Sequence, residues 1–598
     1  MPVGVLTDCS CVLIGGLLGT VLGSRFTPVS YTHLDVYKRQ PFYLKPEDIE
    51  WVNTTLAGMT TEEKAGQLFC VLFKECKPEE FEYVFNILKP GGCMYRVVPT
   101  ERAIAATQNI YSRSKVPPLI AANLEKGGNG IVTEGTLVGA PMEIAATDDI
   151  GMATKMAHAC AAEASAVGAN WAFAPIIDID TNYRNPITNT RTFGSDPERV
   201  RRMGRAYVEE VQKMGLAASI KHFPGDGQDE RDQHLVTSIN NMDCDPWMNT
   251  YGAAYKAGIE AGALTAMVGH IMQPAWTRRL NPGIKDEDIM PGTLSREMMQ
   301  GLLRGELGFN GLICTDATTM AGYTLAMSRR RAVPESIARG ADMFLFARNL
   351  EEDYGFMLQG IKDGIITPER LDEAVTRILA TKAALGLHRG APELDVEKAK
   401  TIVGCAKHQQ WAEECADKAI TLVKEQPGVL PITPERYKKI LFYTIEPAAG
   451  GEGNYKVAPA CAKLRAMLEK EGFEIDDFVP QPYGEGFTTK YEEVVNNYDL
   501  ILYVANLSTK SNQTVVRIEW KQPMGADCGH YMNDIPTVFV SLENPYHLQD
   551  FPRVKTYINC YSNNDHCLHQ LIEKLTGRST FKGHSPVDAF CGKWDAHL

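Results

Sequence analysis

From Trp51 onward, short apolar runs alternate with longer stretches whose apolar residues recur at helical spacing. The runs predict eight strands: "QLFCVLF" (67–73), "GGCMYRV" (91–97), "PLIAANL" (118–124), "NWAFAPIID" (170–178), "AASIKHF" (217–223), "TAMVGHI" (265–271), "GLICTDA" (311–317) and "DMFLFAR" (342–348). Each is apolar almost throughout, which marks a strand covered on both faces. Segments between them, such as "MATKMAHACAAEASAVG" and "RRMGRAYVEEVQKMG", keep their apolar residues on one face, as helices packed on a sheet do. Eight successive βα units predict a closed (β/α)8 TIM-type barrel rather than an open doubly wound sheet. The last helix of the set has legible ends: Thr367 can cap it, Pro368 suits its first position, and Gly386 suits the turn beyond it.

After "HRGAPELD" the pattern restarts with "KKILFYTI", "FEIDDFV", "LILYVANL", "PTVFVSLEN" and "VKTYINCY", again alternating with helical stretches such as "ACAKLRAMLEKEG". The expectation is a barrel domain over residues 41–390 followed by a second α/β sandwich domain over 391–598, built on an open sheet. A chain of 598 residues is too long for one core, which agrees with two domains. Residues 1–40 stand apart. "SCVLIGGLLGTVLGS" is apolar, but nothing basic precedes it and it is too short and glycine-rich to span a membrane. "PVSYTHLDVYKRQ" has no periodicity and resembles translated sequencing adapter, so these residues are expected to be a non-native or disordered leader.

Composition narrows the function. An apolar fraction of 44% and a charged fraction of 23% are those of an ordinary globular protein. The net charge of -13 argues against a nucleic-acid partner, and there is no Walker-type phosphate loop. Fifteen cysteines occur without zinc-ribbon or disulfide-scaffold spacing. They suggest a reducing, cytoplasmic setting, or secretion if the N-terminal apolar run is genuine. No cofactor, metal or membrane partner is expected, and the oligomeric state is not legible.

In such a barrel the chemistry sits at the carboxyl ends of the strands. Polar residues fall there one strand after another: Asn123 and Glu125, Asp178 and Asp180, Lys221 and His222, His270, and Asp316. Asp316 follows a buried apolar run directly, where an acid is costly unless it is paired or used as nucleophile, base or metal ligand. In the loop "KHFPGDGQDERDQHL", Asp232 stands two residues before His234, close enough for the carboxylate to orient the imidazole. A mobile loop carrying that pair could give and take a proton. An Asp-x-His pair can also bind a divalent ion, but no second histidine stands at ligand spacing.

These residues sit in motifs that resemble glycoside hydrolase family 3, and within it the β-N-acetylglucosaminidase branch. The motifs are "MTTEEKAGQLF", "FAPIIDID", "NTRTFGSDPERV", "KHFPGDG" followed by "DQH", "MVGHI", "GTLSREMMQGLLRGELGFNGLICTDATTMAG" and "GADMFLF". "AITLVKEQPGVLPI" and the strands after it resemble the family's second domain more weakly. The resemblance implies a retaining two-step reaction. Asp316 would be the nucleophile, and His234 oriented by Asp232 the acid/base. Arg191, Lys221, His222 and Asp178 would hydrogen-bond the sugar, with Asn123 and His270 lining its site.

The chain also departs from the family. Asn123 stands where it has an aspartate, and Asp226 stands where the branch has a histidine. The implied activity is exo-acting removal of terminal β-linked N-acetylhexosamine, with N-acetylglucosamine foremost. The partner would be an amino-sugar oligosaccharide or muropeptide, and the process peptidoglycan turnover. The alternatives are a β-glycoside phosphorylase, a β-glucosidase-type hydrolase, and an inactive sugar-binding protein.

Overall fold

The computed structural model describes residues 37, 39–74, 76–447, 459–480 and 489–598. Of the leader segment, residues 1–36 and 38 lie outside the described residues. Tyr37 is buried in the barrel core and donates through its hydroxyl to Asn53 Oδ1 at 3.0 Å.

Seven parallel strands form the first sheet: β1 (Cys70–Phe73), β2 (Gly92–Tyr95), β3 (Leu119–Ala122), β4 (Trp171–Ala172), β5 (Ala217–Phe223), β7 (Thr265–Val268) and β9 (Leu312–Thr315). Their order is β1-β2-β3-β4-β5-β7-β9. The segment expected as an eighth strand closes the ring with two isolated bridges, Cys314 to Met343 and Phe69 to Phe344. A full ladder does not form, because the Asp342 carboxylate takes the Ile313 N–H at 2.9 Å in place of a backbone carbonyl. The fourth strand is likewise cut to two residues where Pro175, without an N–H, interrupts it, and pairing resumes at the Ile176–Lys221 bridge.

Helices pack around this ring. Pro368–Ala384 shows the expected ends, with the Thr367 side chain accepting from Arg370 N and Gly386 at φ 70° just past the end. Two short strands, β6 (Ser238–Ile239) and β8 (Ile271–Met272), pair with each other above the barrel.

The second sheet has six strands in the order β10-β15-β14-β13-β11-β12. β11 (Lys439–Ile445), β12 (Glu474–Asp477), β13 (Leu500–Ala505), β14 (Thr537–Ser541) and β15 (Thr556–Asn559) are parallel and match the five expected runs. β10 (Thr421–Lys424) adds an antiparallel edge that the sequence pattern missed, since it is four residues long and follows the helix Ala406–Ala419 almost directly. The two faces of this sheet carry separate apolar clusters, as expected of a sheet covered by helices on both sides.

Candidate active site

Strand ends from five neighbouring strands converge over the barrel. Asp316 follows β9, and its backbone N–H is held by Val268 O at 2.8 Å. Its Oδ1 accepts from Ala317 N at 2.7 Å, and its Oδ2 lies 4.0 Å from His222 Nε2. Burial opposes ionisation here, but His222, His270, His234 and the Ala317 N–H outweigh it and hold the carboxyl below its ordinary range. An ionised carboxylate ringed by imidazoles is equipped to attack an electrophilic carbon.

Behind it, His222 Nδ1 lies 2.7 Å from Asp178 Oδ2, and Asp178 Oδ1 also accepts the backbone N–H groups of His222 and Asp226. Lys221 Nζ donates to Glu125 Oε1 at 2.8 Å, and Arg191 grips the same carboxylate through Nε and Nη2 at 3.1 and 3.0 Å. Burial of Glu125 would raise its pKa, yet Arg191 and Lys221 hold it well below the ordinary carboxylate range. Glu125 belongs with the site and was not among the residues assigned a role from sequence. The available signal was an acid two residues after Asn123 at the end of β3, opposite two cations. Asn123 itself is exposed at that strand end, and among the described residues its side chain has no hydrogen-bond partner.

His234 Nδ1 lies 2.7 Å from Asp232 Oδ1, which also accepts the His234 backbone N–H. Nδ1 donates to the carboxylate, so Nε2 is the ring nitrogen left for proton transfer. Burial of Asp232 is outweighed by the hydrogen bond from His234, and its carboxyl sits below the usual range. The segment that carries the pair is tethered rather than loose. Ala321 N donates to His234 O, Gly322 N to Gln233 O, and Thr237 Oγ1 to Gly322 O. The glycines of "KHFPGDG" allow the turn that leads into it: at φ 109° and 103°, Gly225 and Gly227 press against the Tyr251 ring and Ile179 O, where a Cβ has no room.

Two further polar residues of these motifs, His270 and Asp226, have partners within the protein. Both ring nitrogens of His270 are engaged within the protein, Nε2 with Ala317 O at 3.0 Å and Nδ1 with Thr293 Oγ1 at 2.9 Å. Burial lowers its pKa, partly offset by the Asp316 carboxylate, and the ring braces the turn after Asp316. Asp226 is also buried, accepting from Asn185 Nδ2 and Gly227 N, with Gln233 Nε2 at 3.4 Å. It ties the loop 182–191 to the segment bearing His234.

The second domain reaches this centre. Asn512 N donates to Asp232 Oδ2 at 2.8 Å, and Tyr546 Oη donates to Asp180 Oδ2 at 2.6 Å. A cavity of about 430 Å³ opens between the domains beside Asp232, lined among others by Tyr183, Arg231, Leu235, Val515 and Gln549.

Comparison with known proteins points the same way. The Glycosyl hydrolase family 3 N terminal domain matches residues 60–381. A beta-N-acetylglucosaminidase/beta-glucosidase of Cellulomonas fimi is 51% identical over 558 residues, 93% of this chain and 99% of that protein. Among solved structures, the beta-glucoside phosphorylase BglX superposes with a TM-score of 0.88 at 47% identity, covering 94% of this chain and 100% of that one. A glycoside hydrolase family 3 beta-N-acetylglucosaminidase from Paenibacillus sp. str. FPU-7 superposes at 0.75 with 25% identity, covering 90% of this chain and 100% of that one.

Proposed function

Because the chain belongs to glycoside hydrolase family 3 and is a glycosidase, we propose that it removes terminal β-linked sugars by a retaining two-step reaction, with N-acetylhexosamine as the foremost substrate. The observation that carries this is the pairing of an ionised Asp316 with a separate His234–Asp232 couple on one barrel end. Asp316 attacks the anomeric carbon as the glycosidic bond breaks, giving a covalent glycosyl-enzyme. Protonated at Nε2, His234 gives that proton to the departing oxygen. It then takes a proton from the incoming water, which releases the sugar with its configuration retained. Lys221, Arg191, His222 and Asp178 form a rigid wall for the sugar hydroxyls. The uncharged Asn123 beside it fits glucose as well as N-acetylglucosamine, and the Cellulomonas fimi relative carries both names.

A second reading is phosphorolysis. A neutral imidazole base repels phosphate less than a carboxylate would, and the 47% identical structure is a phosphorylase. Phosphate would then replace water on the glycosyl-enzyme and leave as a sugar 1-phosphate. A panel of chromogenic β-glycosides, with N-acetylglucosaminide, glucoside, xyloside and N-acetylgalactosaminide assayed with and without phosphate, separates the two readings. Free sugar as the main product in both conditions supports hydrolysis, and sugar 1-phosphate overturns it. His234→Gly should slow natural substrates at least about 100-fold, and substrates with good leaving groups far less, because only the former need a proton to depart. Equal losses on both would remove His234 from the acid role.

A further inference from the structure

At the opposite end of the barrel, a cavity of about 450 Å³ lies among segments that precede the strands: Gln67 before β1, Lys89 before β2 and Val116 before β3. The helix Pro46–Ala57 and the turn after Pro368–Ala384 complete it. That volume suits a monosaccharide or a small disaccharide.

Its lining is chemically specific. Trp51 and Tyr111 contribute aromatic rings, and the Trp51 ring packs on His388 at 4.9 Å. His388 is fixed by Asp48 through Nε2 at 3.0 Å, while its buried Nδ1 has no hydrogen-bond partner among the described residues. Three cations line the cavity, Lys89, Arg113 and Lys115, against one carboxylate, Glu63. Glu63 lies 3.0 Å from Lys89 and 4.0 Å from Lys115, and among the described residues Arg113 has no carboxylate partner. One negative charge set against three positive ones leaves a local excess of two. In the floor, Gln67 is held at both ends of its amide, donating to Lys89 O and accepting from Lys382 Nζ. The wall is therefore built before any ligand arrives.

We propose that this cavity is a second binding site, remote from Asp316, for a single sugar unit carrying a phosphate or carboxylate. The rings offer a platform for the apolar face of a pyranose, as aromatic surfaces do for flat apolar faces. The cations answer the anionic group, since charge-assisted bonds are the stronger kind. A neutral sugar would leave two cations unmatched, and a bare anion would leave both rings unused.

The test is titration calorimetry on the full chain with α-D-glucose 1-phosphate and with D-glucuronate, in an Asp316→Asn background so that nothing is turned over. Binding of at least one probe is expected, and the tighter one identifies the preferred acid. Arg113→Glu with Lys115→Glu, and separately Trp51→Ala, should each weaken that binding at least about tenfold. Glucose and inorganic phosphate alone should bind at least about tenfold more weakly than the preferred probe. In the otherwise unaltered chain the same substitutions should leave kcat/KM for an aryl β-glycoside within about twofold, since they lie at the far end of the barrel. The proposal is overturned if neither probe binds at millimolar concentration, if binding ignores the substitutions, or if inorganic phosphate binds as tightly as the sugar phosphate. The aryl glycoside assay scores the catalytic assignment separately, so the two can fail independently.

Discussion

Asp226 is a buried carboxyl whose hydrogen bonds all run to the protein itself, to Asn185, Gly227 and Gln233. Burial first, and then the neighbouring Asp178, push its pKa up to about 8 from the ordinary 3.8. Between about pH 4 and about pH 8 the folded chain therefore keeps a proton that the unfolded chain has released, and this group lowers stability progressively as pH rises through that window. Asp226→Asn cannot lose that proton. Its thermal midpoint should exceed the parent's by a margin that grows from about pH 5 to about pH 8, read by calorimetry across that range. A margin independent of pH would show that Asp226 is ionised in the folded chain. Asp316, His234 and Lys221 were legible because each is a polar residue where an apolar run stops or a loop returns. The task of Asp226 was not, since nothing in "KHFPGDG" says that the aspartate turns inward to Asn185 rather than toward a sugar. For His270 too, the position was readable but its two partners were not.

At the scale of elements, strand positions followed from apolar runs, while strand lengths depended on groups that periodicity does not weigh. A proline shortened β4, and a carboxylate replaced the ladder at Asp342. The loop between β13 and β14 is the element with the sharpest consequence. Its Asn512 sits at φ 67°, a left-handed conformation that asparagine tolerates and proline cannot adopt. Asn512→Pro removes both the conformation and the N–H that holds Asp232. Hydrogen bonds to charged groups contribute ~1.5–3 kcal/mol, so kcat/KM on substrates with poor leaving groups should fall at least about tenfold. Asn512→Gly keeps the N–H and the conformation, and should stay within about twofold of the parent. Parallel kinetics on the two variants decide the point: equal activities would mean that Asp232 orients His234 without help.

Across the whole molecule, the domains meet through polar contacts between residues hundreds of positions apart. Asp180 and Tyr546 are separated by 366 residues, and Asp232 and Asn512 by 280. No local pattern announces such pairs, which is why the role of the second domain stayed hidden while the positions of five of its six strands were readable. Asp180 is held up to about 6 by burial, against the Tyr546 hydroxyl that favours its charged form. Tyr546→Phe should therefore cost about 1–3 kcal/mol of stability at neutral pH, because it leaves a buried carboxylate oxygen without its donor. Chemical denaturation would measure the loss, and an unchanged midpoint would show the contact to be incidental. The network proposed to hold the sugar, Glu125 with Arg191 and Lys221, is drawn wholly from the barrel, whereas the Asp232 carboxylate that orients His234 also accepts from Asn512 of the other domain. On the proposed mechanism, the residues that hold the sugar would all be inherited with the barrel, while the setting of the proton donor would depend on both domains, so exchanging the second domain alone should alter tolerance of departing groups before selectivity for the sugar.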